Sequence, residues 1–404
     1  MNKVKINPAE ERILEETEAL ATIIRARPGS FAEPKSLEAV ADVPWVLLVD
    51  RFLEHYHATP SDFLMRARLD AAKGKLLAGT GTIAAVAKEV GFPDAREFRD
   101  LFERRNGMTP EAYRDLPKTS TFRLRLPEGY PLASLRQALG RDMHSFTERL
   151  SDDRYVTGVN LSDGPRLVIM VFSRSGASVS VSPLTKEAAR VHAMIVGLLG
   201  LDQDTDAFEK LAKKRGVGHL VACAGLRVHQ SHTVYDGLLW TVIGQQINIP
   251  FACRLRQRIT ELAGTPIQDG LYAPPTPQRI AALKPEQLLP LQYSRQKADY
   301  VVSMARLIAE GKLDLEKLRT SSATRAQRTL LGIRGLGIWS VNYLMMRALG
   351  FADCLPVGDT GVTSGLQRVL KLKERPDATE TLRLSAQFAP FRSLGTAHLW
   401  WSGN

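Results

Sequence analysis

The chain up to about Pro117 reads as all-helical, and two stretches of it carry helix-turn-helix signals. The first runs Ser36-Leu-Glu-Ala-Val-Ala-Asp42, then Val43-Pro44, then an apolar-rich helix through Tyr56. The second runs Thr82-Ile-Ala-Ala-Val-Ala-Lys-Glu-Val-Gly91, a glycine turn, then Asp94 to Arg105. Each opens on a Ser or Thr suited to an N-cap and carries Ala where helices must approach closely. They also end alike, in His57-Ala-Thr-Pro60 and Asn106-Gly-Met-Thr-Pro110, so one motif is duplicated about fifty residues apart.

Lys118-Thr-Ser-Thr121 reads as a polar hinge. Beyond it, Phe122–Leu126 and Ala177–Ser182 alternate with period two, while Tyr155–Leu161 and Leu167–Ser173 are strand-like. Helices are expected over Pro131–Gly140 and Lys186–Leu199, giving a small antiparallel sheet with helices on one side. No catalytic constellation appears in it. From about Asp206 the pattern returns to helices separated by Gly and Pro. The expected fold is mainly α and multidomain: an all-α tandem helix-turn-helix domain over 1–117, an α+β domain over 118–205, and an all-α domain over 206–404.

Composition agrees with this division. A chain of 404 residues implies two or three domains, and 44% apolar with 24% charged residues is enough for real cores. The net charge of +11 favours a polyanionic partner without deciding specificity or activity. No apolar run approaches the ~18 residues of a membrane helix, and Met1–Glu18 is charged rather than signal-like. A cytoplasmic, nucleoid-associated monomer is expected. Cys223, Cys253 and Cys354 are scattered, which suits reduced thiols or small buried apolar residues and offers no zinc or iron–sulfur spacing.

The chemistry concentrates near the C-terminus. In Leu331-Gly-Ile-Arg-Gly-Leu-Gly-Ile-Trp339, Gly335 and Gly337 around Leu336 make a turn tight enough to join two packed helices. They also leave backbone N–H groups bare for a phosphate. Further on, Leu-Pro-Val-Gly-Asp359 supplies a carboxylate that can stabilise a sugar whose base is leaving. By itself a glycine turn is common and a loop aspartate often just caps a helix. Other features accompany them: the apolar helix Asp236–Pro250 with paired amides at Gln245 and Gln246, the cap in Pro274–Leu283, and Phe388-Ala-Pro-Phe-Arg-Ser393 leading to His398-Leu-Trp400.

Two resemblances follow. Residues from about 18 to 115 resemble the tandem helix-turn-helix domain of AraC-type regulators, through Arg68 to Leu77, Val90-Gly-Phe92, Phe98, Phe102, Gly107-Met-Thr-Pro110 and Tyr113-Arg114. Two departures stand out. The first recognition helix, Pro44 to Arg51, shows apolar residues where DNA readers usually display polar ones. The second sets Asp94, Glu97, Asp100 and Glu103 beside Arg96, Arg99, Arg104 and Arg105. The module is therefore expected to touch DNA chiefly through nonspecific phosphate contacts, with Arg66, Arg68, Lys73 and Lys75 on the linking helix as examples. Its removal is expected to leave the chemical step unchanged.

Roughly residues 120–404 resemble the helix-hairpin-helix DNA glycosylase superfamily, specifically the 3-methyladenine DNA glycosylase II (AlkA) type, and the tandem is similar to Ada-type fusions. No cysteine precedes Cys223, so the cysteine zinc domain and alkyl-acceptor chemistry of Ada proteins are not available in the N-terminal half. The resemblance implies a monofunctional enzyme excising alkylated purines from double-stranded DNA by hydrolysis. Asp359 takes the catalytic position, and Trp339, Tyr343 and Trp400 take the places of aromatics around the flipped base, each having core packing as its bland alternative. Trp339 stands where lyase-competent relatives carry lysine, which implies hydrolysis without strand cleavage. Gln245 and Gln246 take the minor-groove plug position, with Gln246 where relatives have Gln or an apolar wedge. Gly335, Leu336 and Gly337 are the phosphate clamp, and Arg392 supports either a phosphate or the Asp359 region. No cofactor is required, although the carbonyls of Leu331, Ile333 and Leu336 match a structural cation site. Thr360 replaces an aromatic of some relatives and implies a more open pocket.

The main competing reading is an AraC-type transcription factor with an inactive or sensing glycosylase-like part. Adenine-mismatch and oxidised-guanine glycosylases form a third, disfavoured by the missing four-cysteine cluster and the missing lysine.

Overall fold

The computed structural model describes residues 7–79 and 81–403, so the first six residues of the Met1–Glu18 segment lie outside the described residues. Asn7 opens the first helix, α1 (Pro8–Ala26), by accepting the Ala9 N–H at 3.1 Å. Then follow α2 (Leu37–Ala41), α3 (Trp45–Tyr56), α4 (Pro60–Leu77), α5 (Ile83–Glu89), α6 (Ala95–Asn106) and α7 (Pro110–Arg114). The duplication is visible in the backbone. Thr59 and Thr109 cap the helices after each unit, with Pro at the first helical position, and α3 and α6 both end on a left-handed residue, His57 (φ 53°) and Gly107 (φ 69°).

The N-caps are unequal. Thr82 accepts the Ala85 N–H at 3.1 Å, as expected, but Ser36 ends a 3₁₀ turn and gives its hydroxyl to the Glu33 carbonyl instead. Helix α2 consequently has no side-chain cap. The linking-helix cations also differ from expectation. Arg68 is buried and donates to the Phe31 carbonyl at 2.5 Å, while Lys73 and Lys75 pair with Asp70 and Glu89. Of the four, Arg66 stays exposed.

The sheet has five strands, one more than the period-two reading found: β1 (Thr121–Arg125), β2 (Glu148–Ser151), β3 (Arg154–Leu161), β4 (Gly164–Ser173) and β5 (Gly176–Ser182). All pairs are antiparallel, in the order β1-β5-β4-β3-β2. Strand β2 buries no side chain fully, so it left no apolar alternation to detect. Helix α8 (Leu132–Leu139) lies between β1 and β2, and α9 (Ala188–Leu199) follows β5.

The stretch Lys118–Thr121 is not a hinge. One buried cluster runs from Leu69, Phe98 and Phe102 through Leu116 to Phe122, Met170, Val179 and Ile195. Hydrogen bonds cross the same seam: Arg125 N–H to the Gly107 carbonyl at 2.6 Å, and the His192 ring to the Asn106 carbonyl at 2.7 Å. The polarity of those four residues reported exposure, and the fully buried Leu116 just before them fixes the path.

The rest is helical around its own core: α10 (Thr205–Lys214), α11 (Val234–Gly244), α12 (Ile249–Ala263), the two-residue ladder β6 (Thr265–Pro266) and β7 (Tyr272–Ala273), α13 (Pro277–Ala281), α14 (Arg295–Ala309), α15 (Leu315–Leu318), α16 (Ala323–Leu331), α17 (Ile338–Leu344), α18 (Thr360–Val369), α19 (Ala378–Ser385) and α20 (Arg392–Trp401). No helix among the described residues is long and apolar enough to cross a membrane.

The N-terminal helices dock onto α16. Arg325 meets Glu11 and Glu18, each at 2.9 Å, Arg328 also pairs with Glu11, and the Ser322 hydroxyl donates to Glu18 at 2.7 Å. His55 at the end of α3 is 2.9 Å from the Thr324 hydroxyl. The helix-turn-helix part is thus joined to its neighbours at both ends. Leu116→Ala should therefore lower the unfolding free energy by about 2–5 kcal/mol, as for a core leucine. Urea denaturation giving a change below about 0.5 kcal/mol would restore the hinge reading.

Candidate active site

A cleft of about 1010 Å³ opens between the α11–α12 turn, the start of α14, the α16–α17 hairpin, the α18 N-terminus and α20. Asp359 stands in it as the N-cap of α18, its Oδ1 accepting the Val362 N–H at 3.0 Å. The same oxygen accepts the Trp400 indole N–H at 2.9 Å, and Oδ2 accepts that of Trp339 at 3.1 Å. Two indoles from different helices and a helix N-terminus therefore aim three donors at one carboxylate. A carboxylate offers about four lone-pair sites; Oδ1 already accepts two bonds and Oδ2 one, so Oδ2 keeps room for a water or a sugar.

This convergence depends on two glycines the sequence reading passed over. A Cβ at Gly361 would lie 2.7 Å from Trp400 Cδ1, and one at Gly365 would lie 2.5 Å from the Leu399 carbonyl. Their one-turn spacing on α18 was the available signal, since small residues at i and i+4 form a stripe against which another helix can lie.

Tyr343 is brought to the same place. Its ring stacks on Trp339 with centroids 5.4 Å apart and tilts toward Trp400 at 6.0 Å. Trp240 donates to its hydroxyl at 3.3 Å. Arg347 lies on the far side, where burial pushes its guanidinium below the usual range and the contact with Tyr343 opposes that shift. Thr360, exposed, lines the cleft mouth.

At the hairpin, Gly335 has φ 97°, and a Cβ there would lie 2.6 Å from the Tyr300 ring. Gly337 is the N-cap of α17 and brings no side-chain acceptor, so the first N–H groups of that helix lack one. Leu336 is buried and closes the turn by donating its N–H to the Ile333 carbonyl at 3.1 Å. Of the carbonyls considered for a cation, that of Ile333 therefore keeps one lone pair for it.

Two of the expected DNA contacts have other partners. Gln245 donates its amide to the Gly335 carbonyl at 2.8 Å and to the Ser340 hydroxyl at 2.9 Å, so it braces the hairpin rather than filling a groove. Lys297 holds the same turn, donating to the Ile243 and Gln245 carbonyls. Gln246, exposed at φ 58°, is the amide that projects at the cleft edge. Arg392 grips Asp353 through two parallel bonds of 2.8 and 2.7 Å, which commits that edge of its guanidinium to supporting the loop. Burial alone would raise the Asp353 carboxyl, but Arg392 holds it below the usual range. None of these partners is local in sequence, which is why residue pattern alone could not name them.

Comparison with known proteins agrees with the geometry. Residues 239–390 match the HhH-GPD superfamily of base excision DNA repair proteins, and residues 47–115 match a helix-turn-helix domain. A DNA-3-methyladenine glycosylase of Bacillus subtilis is 33% identical over 205 residues, 50% of this chain and 68% of the relative. A protein of Mycobacterium tuberculosis described as a probable bifunctional transcriptional activator/DNA repair enzyme is 25% identical over 336 residues, 78% of this chain and 66% of its own. In fold, the chain is similar to a 3-methyladenine DNA glycosylase from Archaeoglobus fulgidus, with TM-score 0.62 at 20% identity, covering 69% of this chain and 97% of the other.

The hairpin generates a direct test. Gly335→Ala combines a left-handed backbone with a clash against Tyr300 and should cost about 2–4 kcal/mol of stability. It should also weaken duplex binding, read by thermal melting and fluorescence anisotropy; a variant with wild-type values in both would show that the turn tolerates a side chain.

Proposed function

The chain belongs to the HhH-GPD superfamily of base excision DNA repair proteins, with an AraC-type helix-turn-helix segment ahead of it, and we propose that it is a monofunctional glycosylase excising alkylated purines of the 3-methyladenine type from double-stranded DNA. The observation that carries this reading is the Asp359 carboxylate, held by Trp339 and Trp400 beside a stacked Tyr343. Alkylation leaves the purine cationic, and electron-rich faces favour a cation by about 0.5–2 kcal/mol over a neutral ring. The bond from C1′ to the base nitrogen then breaks, its electron pair leaving with the base, which departs neutral and needs no protonation. The sugar becomes oxocarbenium-like, Asp359 supplies the opposing charge, and water adds its oxygen to C1′ and loses a proton.

Around this centre, Gly335 and Gly337 offer backbone N–H groups to a phosphate, the Leu336 N–H being taken by the Ile333 carbonyl, and Gln246 fills the gap left by the extruded nucleotide. A cation on the Leu331, Ile333 and Leu336 carbonyls would be structural, adding positive charge next to that phosphate. The reaction needs no cofactor, and a cytoplasmic monomer fits a protein that scans duplex DNA. The regulator reading has less support, because α3 presents Val46 (70% exposed) and Leu47 (52%) where base readout needs polar side chains.

Asp359→Asn tests the assignment. The amide can keep the Val362 cap but then turns its N–H₂ toward an indole donor, and the charge is lost. Base release from methylated duplex DNA should fall by roughly 10²–10³-fold or more, with DNA binding largely kept. Turnover like the wild type would refute the role.

A second prediction concerns the product. Trp339 cannot form a Schiff base, so the abasic strand should remain full length on denaturing gels without alkali or heat. Trapping of a covalent protein–DNA adduct by borohydride would contradict hydrolysis by water.

A further inference from the structure

We propose that His57, at the end of the first helix-turn-helix unit, is a positioning residue for the loop that carries Asp359, so that the N-terminal module works as part of the excision machinery. The proposal rests on the glycosylase reading above. It begins from a difference between the two repeats. Where α6 ends on Gly107, α3 ends on His57 in the same left-handed conformation, φ 53° against 69°. Glycine adopts that conformation freely, whereas a residue with a Cβ resists it. A costly residue held at such a place points to work done by its side chain.

That side chain reaches a loop almost three hundred residues further along the chain. His57 Nδ1 accepts the Asp353 N–H at 3.2 Å, and its ring meets the edge of Phe351 with centroids 5.6 Å apart. Burial pushes the imidazole down to about 4, with Asp353 opposing the shift and Arg392 and His55 reinforcing it. The ring is neutral at ordinary pH, and Nδ1 keeps the lone pair this contact needs.

The loop from Phe351 to Asp359 is held along its length by the start of α20, and at its ends by the Met345 carbonyl, which accepts the Phe351 N–H at 3.0 Å, and by Trp339 on Asp359. Arg392 grips the Asp353 carboxylate, and Ser393 receives the Cys354 N–H at 3.1 Å and donates to the Phe351 carbonyl at 2.7 Å. The same helix carries Trp400 to Asp359. His57 adds a hold on this loop from the helix-turn-helix module. The module that carries His57 is tied to α16 by the ion pairs of Glu11 and Glu18 with Arg325 and Arg328, and by His55 on the Thr324 hydroxyl. Small misplacements of a reacting group slow chemistry far more than they weaken binding.

The test uses two variants of the full chain. His57→Gly keeps the left-handed backbone and removes the acceptor; His57→Asn tolerates the same backbone and returns an oxygen acceptor. For His57→Gly, single-turnover base release at saturating enzyme should fall roughly three- to tenfold, the effect of about one hydrogen bond, with little change in affinity for an abasic-site duplex. His57→Asn should recover most of the rate. Wild-type chemistry in His57→Gly, no recovery in His57→Asn, or equal losses of rate and affinity would each overturn the proposal. Hydrogen exchange over residues 351–359 is a readout independent of activity, and should rise in His57→Gly but not in His57→Asn. Unchanged exchange sinks the positioning role. Absence of base release by the wild type would instead remove the glycosylase reading and leave the exchange result to judge His57.

Discussion

The arrangement depends on how closely α20 can lie against α18. Gly361 and Gly365 remove the side chains that would hold the two helices apart, and Trp400 then comes within 2.9 Å of Asp359. That contact helps fix the direction of the carboxylate, and Trp339 completes the hold from α17, where it stacks on Tyr343 one turn along the same helix. A charge that must face a developing cation is useful only where it cannot rotate away, and three donors from separate elements prevent that.

The wedge turn and the hairpin are bound into one body by comparable means. Gln245 spans from the end of α11 to the Gly335 carbonyl, and Lys297 holds the same turn from α14, where burial pushes its ammonium below the usual range. Gln246 and the hairpin N–H groups consequently keep a fixed spacing, which suits gripping one strand and filling a gap beside it.

Charge is distributed less simply than the formal +11 implies. Arg256 is held by Glu148 and Asp236, Arg392 by Asp353, and Arg325 and Arg328 by Glu11 and Glu18. Those arginines join elements and domains. The positive surface left for a polyanion is smaller than the composition suggests, and it includes the exposed Arg66, Arg96 and Arg104.

The repeat, most strands, the hairpin and the positions of Asp359, Trp339, Tyr343 and Trp400 were legible in the sequence. The repeat, strands and hairpin rest on local rules: apolar periodicity, Thr-Pro caps, and glycines where the backbone turns left or meets another group; the four site positions rest on the family resemblance. What tertiary structure decided was partnership. Gln245 and Arg392 had the right chemistry for DNA but found carbonyls and a carboxylate closer at hand. Ser36 lost its cap to a 3₁₀ turn, and Lys118–Thr121 lies along a packed seam because Leu116 and Phe122 share one core. The docking of Glu11 and Glu18 on α16 joins residues hundreds of positions apart. A chain pattern records which groups a residue offers, and only the fold determines which group stands within 3 Å to accept it.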